Sequence, residues 1–228
     1  MTNLLILDTA SSRCWVGLQY AGGLLLERST ESRRAAQQLL PMTERLLSKA
    51  QLVPAELTAI AVINGPGSFT GMRIGVGIAQ GLAFAAQIPV VPISSLQALA
   101  ASAAQEYGHS HWLIAEPARD EETYVGGYEL ERSGHCQALF PEQIVHGRTA
   151  PIFQSLADTN SVWGVAGGST DWLCAALADC PLELRPAPDH GIIPASVCRL
   201  VAAELAAGNS VLPEATLPNY VKDQLDYS

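Results

Sequence analysis

Polar side chains crowd together at the end of the first apolar run, where they could bind a phosphate group. Asp8 ends that run, and three hydroxyl side chains follow it: Thr9, Ser11 and Ser12. Hydroxyl and backbone N–H groups in a turn can donate hydrogen bonds to phosphate oxygens. An aspartate in a turn can equally accept hydrogen bonds from its own backbone. Arg13 is the only cation close behind, so the segment indicates at most a vestigial phosphate loop.

The five histidines and the best-placed serine do not form a catalytic pattern. Two histidines one helical turn apart converge on a metal ion, and no His-x-x-x-His occurs in the chain. His109 and His111 could share one face of a strand, but no acidic third ligand is near them. Ser68 has no GxSxG elbow around it, so capping a helix is its expected role. The sequence therefore predicts no catalytic residue, no metal and no cofactor.

The most informative stretch is GPGSFTGMRIGVGIAQGLAF, which begins at Gly65. It lacks the Gly-Lys-Ser/Thr of a Walker A loop. A glycine-rich turn before a helix can bind an anion, or the glycines can allow close packing. Four glycines inside a helix cost about 3–4 kcal/mol relative to alanine, which favours close approach of another backbone. These four are Gly71, Gly75, Gly77 and Gly81.

A helix over about residues 68–87 would have almost no polar face. Arg73, Gln80 and Gln87 fall on one narrow stripe, and the other positions are mostly apolar or glycine. Either the chain's own core or a second polypeptide must cover the rest, and we favour a contribution from a partner. A second helix over residues 33–50 is amphipathic, and Pro41 should kink it or mark its start. The predicted interface candidates on the two helices are Leu39, Leu40, Met42, Leu46, Gly71, Gly75, Ile78, Gly81 and Leu82.

Charge and composition exclude several classes of protein. The formal net charge is −9, whereas RNA is bound mainly by Lys and Arg, so this chain should bind RNA poorly by itself. Five widely spaced cysteines without a CxxC are typical of reduced thiols in the cytoplasm. No apolar run reaches the roughly 18–20 residues that span a bilayer. The first residues indicate a strand and not a signal peptide.

The order of elements predicts an α/β protein. A β-meander opens the chain, and alternating strands and helices follow to about residue 107, which implies parallel pairing. Residues 181–188 are rich in proline and are expected to be irregular. No internal repeat is visible. We expect an N-terminal lobe over residues 1–105, a second lobe over 106–193, and a C-terminal helix and tail over 194–228 packing back toward the N-terminal lobe.

Four segments together resemble the TsaB (YeaZ-type) family: GPGSFTGMRIG, GIAQGLAF, VPISSLQALA and the opening ILDTASSRCWVGL. The C-terminal PNYVK resembles that family's Pro-x-Tyr-Leu-Arg tail, with Val221 and Lys222 as substitutions. The matching residues of the glycine-rich motif are Gly65, Pro66, Gly67, Ser68, Phe69, Thr70, Gly71 and Arg73.

The resemblance implies an α/β fold of two lobes with mixed sheets, the actin-like, acetate- and sugar-kinase-like (ASKHA) fold. It also implies a non-catalytic scaffold and activator that forms a heterodimer with TsaD and works with the ATPase TsaE. The complex transfers threonylcarbamoyl to the adenosine beside the anticodon in tRNAs that read codons beginning with A. This chain would contact that tRNA only indirectly.

The sequence departs from the family pattern at two places. Ala35 stands where relatives often carry a histidine, which removes even a vestigial ligand. In the segment that relatives write Asp-Ala-Arg-Met-x-Glu-Val-Tyr, Pro117 replaces the leading aspartate, whose role is lost or left to Glu116. The residues that match there are Arg119, Glu122 and Tyr124, and an Arg–Glu pair bracing a strand is expected. A small-molecule kinase, a metallopeptidase and a homodimer formed without the partner stay open as alternatives.

Overall fold

The chain folds into two compact units, each with its own mixed sheet and hydrophobic core. The computed structural model describes residues 2–11, 14–29, 35–146, 161–187 and 191–221. Residues 1–95 and 197–219 form the first unit, and residues 96–196 and 220–228 form the second. Residues 96–105 thus belong to the second unit, although the sequence assigned them to the N-terminal lobe. Within the described ranges, no helix is long and apolar enough to cross a membrane.

The first unit is built on a five-stranded sheet. Its strands are β1 (Leu4–Asp8), β2 (Trp15–Tyr20), β3 (Gly23–Arg28), β4 (Ala59–Gly65) and β5 (Val90–Ser94). They lie in the order β3-β2-β1-β4-β5; β1, β2 and β3 pair antiparallel, and β1, β4 and β5 pair parallel. Two helices accompany this sheet: α1 (Ala35–Ala50) and α2 (Phe69–Ala86).

The second unit contains a six-stranded sheet. Its strands are β6 (His111–Pro117), β7 (Glu122–Leu130), β8 (Cys136–Ala138), β9 (Gln143–His146), β10 (Val162–Ala166) and β11 (Glu183–Pro186). The order is β11-β10-β6-β7-β8, and β9 also pairs with β7. The other α-helices of the described chain are α3 (Ser95–Tyr107), α4 (Thr170–Ala176) and α5 (Pro194–Ala206), and most of α5 belongs to the first unit. Two short 3-10 helices span Pro54–Glu56 and Pro213–Ala215.

The two sheets share one topology, although no repeat is visible in the sequence. In the first unit, β1 pairs antiparallel with β2 and parallel with β4, and β5 continues the parallel part. In the second unit, β6 pairs antiparallel with β7 and parallel with β10, and β11 continues the parallel part. The turns after β4 and β10 are also alike. Ser68 N donates to Ala10 O at 2.9 Å, and Ser169 N donates to Ala115 O at 2.9 Å. The two sheets therefore share a pattern of backbone pairing that their side-chain identities do not reveal.

The core of the first unit is formed by alternate residues of its central strands. Leu5 and Leu7 of β1, with Ile60 and Val62 of β4, pack in one cluster with apolar residues of both α1 and α2. Their neighbours in sequence, such as Ile6, are equally buried. Strands buried on both faces lose the polar alternation of a surface strand, which explains why β1 reads as a continuous apolar run.

One local expectation was wrong, and two short strands were not foreseen. Residues 183–186, expected to be irregular, form β11, which lies at one edge of the sheet. Proline is tolerated in an edge strand because its missing N–H leaves no ladder bond unmade. The short strands β8 and β9 were not predicted at all. Of the two alternatives for Pro41, a kink in the helix or its start, the second is excluded, because Pro41 lies inside α1.

Candidate functional site

The glycine-rich motif forms the turn between β4 and α2. Ser68 caps α2, because its Oγ accepts a hydrogen bond from Gly71 N at 3.2 Å, which confirms the predicted cap. Gly65 and Gly67 have φ of +109° and +156°, a region that favours glycine. The peptide bond between Gly65 and Pro66 is cis, and the Ser95 hydroxyl donates to Pro66 O. The turn is thus fixed by its own side chains and backbone.

The first turn of α2 packs directly onto the turn that follows β1. Thr9 Oγ1 donates to Gly71 O at 2.6 Å. A Cβ at position 71 would lie 1.9 Å from Thr9 O, and one at position 75 would lie 2.5 Å from Thr9 Oγ1. Of the two readings of this glycine-rich turn, anion site and close packing, the structure supports packing for Gly71 and Gly75. The approaching backbone is the chain's own, however, and not a partner's.

Asp8 is a structural residue of that same turn. It is fully buried, and its Oδ1 accepts hydrogen bonds from Ala10 N and Ser11 N, both at 3.0 Å. Its Oδ2 accepts from Ser11 Oγ at 2.6 Å and from Trp15 Nε1 at 2.7 Å. Burial raises the pKa of the Asp8 carboxyl above its usual range, and these hydrogen bonds oppose that rise. Both oxygens are therefore engaged inside the chain. Ser12 and Arg13, named with the candidate phosphate loop, lie outside the described residues.

The opposite side of α2 is apolar and exposed. We call this surface the open face of α2; it consists of Phe69, Thr70, Arg73, Gly77, Gly81 and Phe84. The side chain of Phe84 is 72% exposed and that of Phe69 is 48% exposed. Nothing lies within 4 Å of a Cβ built at Gly77 or Gly81. An exposed helix face normally carries many charged side chains, but α2 carries a single one, Arg73, whose guanidinium lies 3.5 Å from the Phe69 ring centroid.

The structure divides the predicted interface residues into two groups. One group belongs to the first unit itself, either in its core or against Thr9, and is not available to a partner in this conformation: Leu39, Met42, Leu46, Gly71 and Gly75. The other group has exposed or partly exposed surface: Leu40, Ile78, Gly81 and Leu82. The sequence pattern showed that α2 is apolar or glycine outside one narrow polar stripe, but it did not distinguish the side facing the sheet from the side facing outward. Phe84 and Gly77 were missed for that reason.

The second family segment forms the hairpin between β6 and β7. Ala118 N donates to Glu122 O and Glu122 N donates to Arg119 O, both at 2.9 Å, so the hairpin is closed by backbone bonds. The Glu122 carboxylate lies 3.2 Å from His146 Nε2, a pairing that the expected Arg–Glu brace did not include. Tyr124 lies in β7 opposite Glu116.

Glu116 has a defined role in the second unit. Its Oε1 accepts a hydrogen bond from Gly168 N at 2.7 Å in the turn that precedes α4. A Cβ at Gly167 would lie 2.2 Å from Ala115 O and 2.8 Å from the Glu116 carboxylate. Glu116 therefore braces a glycine turn equivalent to the one at Gly67. In the part of the chain that the structure describes, no three His, Cys, Asp or Glu side chains are grouped so as to hold a metal ion.

Two mixed sheets with this strand pairing in one chain, each with a helix after the strand that pairs parallel with the first, define the ASKHA class of fold. A family described as TsaD, tRNA N6-adenosine threonylcarbamoyltransferase, matches residues 22–144. The chain is 33% identical over 165 residues to the tRNA threonylcarbamoyladenosine biosynthesis protein TsaB of Escherichia coli, covering 70% of this chain and 71% of that protein. It is 41% identical over 129 residues to the Haemophilus influenzae protein of the same name, covering 57% and 55%.

Solved structures agree with these relatives over nearly the whole chain. YeaZ from Pseudomonas aeruginosa is 32% identical with a TM-score of 0.78, and the match covers 96% of this chain and all of that one. A second structure is described as an uncharacterized protein with similarity to peptidase YeaZ from Pseudomonas aeruginosa. It is 33% identical with a TM-score of 0.79, covering 97% of this chain and 100% of that one. The chain belongs to the TsaB (YeaZ-type) family.

Proposed function

We propose that this protein is a subunit of the system that synthesises threonylcarbamoyladenosine in tRNA, and that it acts there as a scaffold and activator without catalysing the transfer itself. The catalytic step, in this proposal, belongs to a TsaD-type subunit that forms a heterodimer with this chain. A TsaE-type ATPase is the third member, and tRNA is reached through the complex. The target is the adenosine beside the anticodon in tRNAs reading codons that begin with A, in the cytoplasm. Membership of the TsaB family is the observation that carries the assignment.

The open face of α2 supports the role of docking surface. Phe84 and Phe69 are exposed beside two glycines that have open space above them. Exposed apolar surface of this kind does not stabilise a monomer, and it commonly marks a site where another protein binds. Glycines at positions 77 and 81 let another helix approach α2 closely, whereas alanine would add a Cβ in the middle of the contact. Leu40 of α1, the other helix with predicted interface residues, is also exposed, at 48%. The same surface is available to a second copy of this chain when the TsaD-type subunit is absent, which is the homodimer alternative.

Two features support a non-catalytic role. A kinase of this fold class needs a carboxylate free to orient a metal ion or water at the phosphate loop, yet both oxygens of Asp8 accept hydrogen bonds from the chain itself. A serine nucleophile needs a base within hydrogen-bond reach, yet Ser68 Oγ accepts from the helix backbone as a cap. The chemistry of the pair is therefore assigned to the partner.

Reconstitution tests the proposal. Threonylcarbamoyl incorporation into tRNA is measured with the TsaD-type subunit, the TsaE-type ATPase and threonylcarbamoyl-AMP, in the presence and absence of this chain. We expect incorporation to require the chain, and the chain alone to give none. Equal incorporation without it would refute the activator role. Incorporation by the chain alone would show that it catalyses the transfer itself. Peptidase activity that depends on bound metal would favour the peptidase reading that one structural relative's description carries.

A pair of matched variants tests the docking surface in the same assay. Gly81→Leu places a large side chain on the open face of α2, and we expect it to weaken the heterodimer and to raise the concentration of chain needed for incorporation. Gly191→Leu is the control, because a Cβ there also meets nothing within 4 Å but lies in the second unit. Light scattering measures the heterodimer directly. An intact heterodimer with Gly81→Leu would remove α2 from the interface.

A further inference from the structure

A C-terminal segment lies against the glycine-rich motif and α2. We call residues 211–219 the C-terminal strap; they belong to the first unit. The strap begins as an extra partner for the edge of the sheet: Val90 N donates to Val211 O at 3.0 Å, and Val211 N donates to Val90 O at 2.8 Å. It continues through a single 3-10 turn, Pro213–Ala215, that packs against α2.

Two amide side chains hold the rest of the strap. Gln80 Nε2 of α2 donates to Thr216 O at 2.8 Å, and Asn64 Nδ2 at the end of β4 donates to Leu217 O at 3.0 Å. In return, Asn219 N donates to Asn64 O at 2.8 Å. Thr216 is fully buried, so this part of the strap is packed and not merely laid on the surface. Three elements of the first unit are thus tied together by one segment.

These contacts give a role to residues that the proposed function does not account for. Gln80 is one of only three polar positions in the otherwise apolar α2 pattern, and its amide is committed to the strap. The family-like tail PNYVK begins at Pro218, so its second residue, Asn219, closes on the glycine-rich motif. The backbone of Asn219 also lies beside Gly65, where its O would be 3.3 Å from an added Cβ.

We propose that the C-terminal strap positions α2 and the turn before it for docking, with Asn64 and Gln80 as the positioning residues. This inference rests on the proposed function, because it assigns a support to the same docking surface. The physical reason is the weak intrinsic stability of α2: four glycines in one helix leave its geometry to tertiary contacts. The sheet holds one side of α2 and the strap holds another. Releasing the strap loosens the helix before it meets its partner, and ordering it again weakens binding.

The test releases the strap without changing side-chain volume. In the double variant Asn64→Asp and Gln80→Glu, carboxylates that only accept replace the two amides that donate to Thr216 O and Leu217 O. Gln87→Glu, at the residue that caps the C-terminal end of α2, is the control, because it makes the same amide-to-carboxylate change as Gln80→Glu outside the strap contacts. Amide hydrogen exchange at Val211 and Asn219 reports whether the strap is released. If the double variant does not fold, Gln80→Glu alone takes its place.

The decisive measurement is the dissociation constant for the TsaD-type subunit. We expect the released-strap variant to bind about tenfold more weakly, the loss that ordering a few side chains or a short segment produces. Gln87→Glu should leave binding unchanged. Ile60→Val, which removes one methylene from the buried core, controls for stability, and it should lower the unfolding temperature without changing affinity. If the strap contributed only to stability, the released-strap variant would behave like Ile60→Val: its unfolding temperature would fall and its affinity would not change.

Two other outcomes overturn the inference and can be told apart. If amide exchange shows the strap released while affinity stays equal to that of the unaltered chain, the strap does not position the docking surface, and the proposed function survives. If the unaltered chain does not bind the TsaD-type subunit, the proposed function falls together with this inference.

Discussion

Single alanine substitutions at the four glycines of α2 should have opposite effects on the free energy of unfolding. At Gly77 and Gly81 an added Cβ meets open space, so only helix propensity counts, and each change should stabilise the isolated chain by about 1 kcal/mol. At Gly71 the Cβ would lie 1.9 Å from the backbone Thr9 O, which cannot move without shifting the turn. Overpacking of that kind costs up to about 3 kcal/mol. The better helix propensity of alanine offsets about 1 kcal/mol of this cost, so about 2 kcal/mol of net destabilisation remains.

Gly75 is the intermediate case that tests the reasoning most closely. Its Cβ would lie 2.5 Å from Thr9 Oγ1, a side-chain atom that can rotate away. Rotation of the Thr9 side chain loses the hydrogen bond from Thr9 Oγ1 to Gly71 O, which is worth about 1 kcal/mol. This loss should roughly cancel the gain in helix propensity from alanine at position 75.

Urea unfolding followed by far-ultraviolet circular dichroism measures all four variants. We expect the order of stability Gly77→Ala and Gly81→Ala above the unaltered chain, Gly75→Ala near it, and Gly71→Ala below it. Destabilisation by Gly77→Ala and Gly81→Ala equal to that by Gly71→Ala would refute the division of α2 into a packed and an open side. In heterodimer assays the two stabilised variants should bind the TsaD-type subunit less tightly, because the added Cβ lies on the proposed contact.

Three further predictions concern buried acids, thiols and a surface pair. Asp8→Asn should cost about 1.5–3 kcal/mol in urea unfolding, because an amide N–H₂ replaces an oxygen that accepts hydrogen bonds, whereas the exposed Asp179→Asn should be neutral. Burial raises the pKa of the Cys14 and Cys198 thiols to about 11, with the Asp8 charge adding to the rise at Cys14. These thiols ionise near pH 9.0 in the unfolded chain but only near pH 11 in the folded chain. The free energy of unfolding should therefore fall as the pH rises from about 9 to about 11. The slope is about 1.4 kcal/mol per pH unit for each thiol, and Cys14→Ala with Cys198→Ala should reduce it, whereas Cys174, whose pKa burial also raises, still contributes. A flat profile in the unaltered chain would contradict the burial. Glu27 accepts from Arg45 at 2.6 Å and from Lys49 at 3.1 Å, so Glu27→Gln should cause a small loss of stability that disappears in high salt. The hydrogen bond from Arg45 leads the causes that lower the pKa of Glu27, so this contribution is present above the carboxyl's unfolded pKa and is lost as the pH falls through its folded pKa.

The family and the fold class were open to sequence reasoning because they depend on local pattern. The turn of the glycine-rich motif, its Ser68 cap and the apolar run of β1 are each encoded within a few residues, and the structure shows all three. The strands of the second unit were harder to predict from the sequence. The strands β8 and β9 are too short for periodicity to reveal, and β11 ends in a proline that normally argues against a strand.

The sequence by itself determined that α2 is apolar, rich in glycine and in need of contacts beyond its own turn. Only the tertiary structure decided which contacts those are. Gly71 and Gly75 face Thr9 of the same chain, Gly77 and Gly81 face outward, and Gln80 is bonded to a strap more than a hundred residues away along the chain. Helical periodicity gives the angle of each residue around the axis, but it does not say on which side the sheet lies. That orientation is set by long-range packing, and packing is what separates a core glycine from one that a partner can approach.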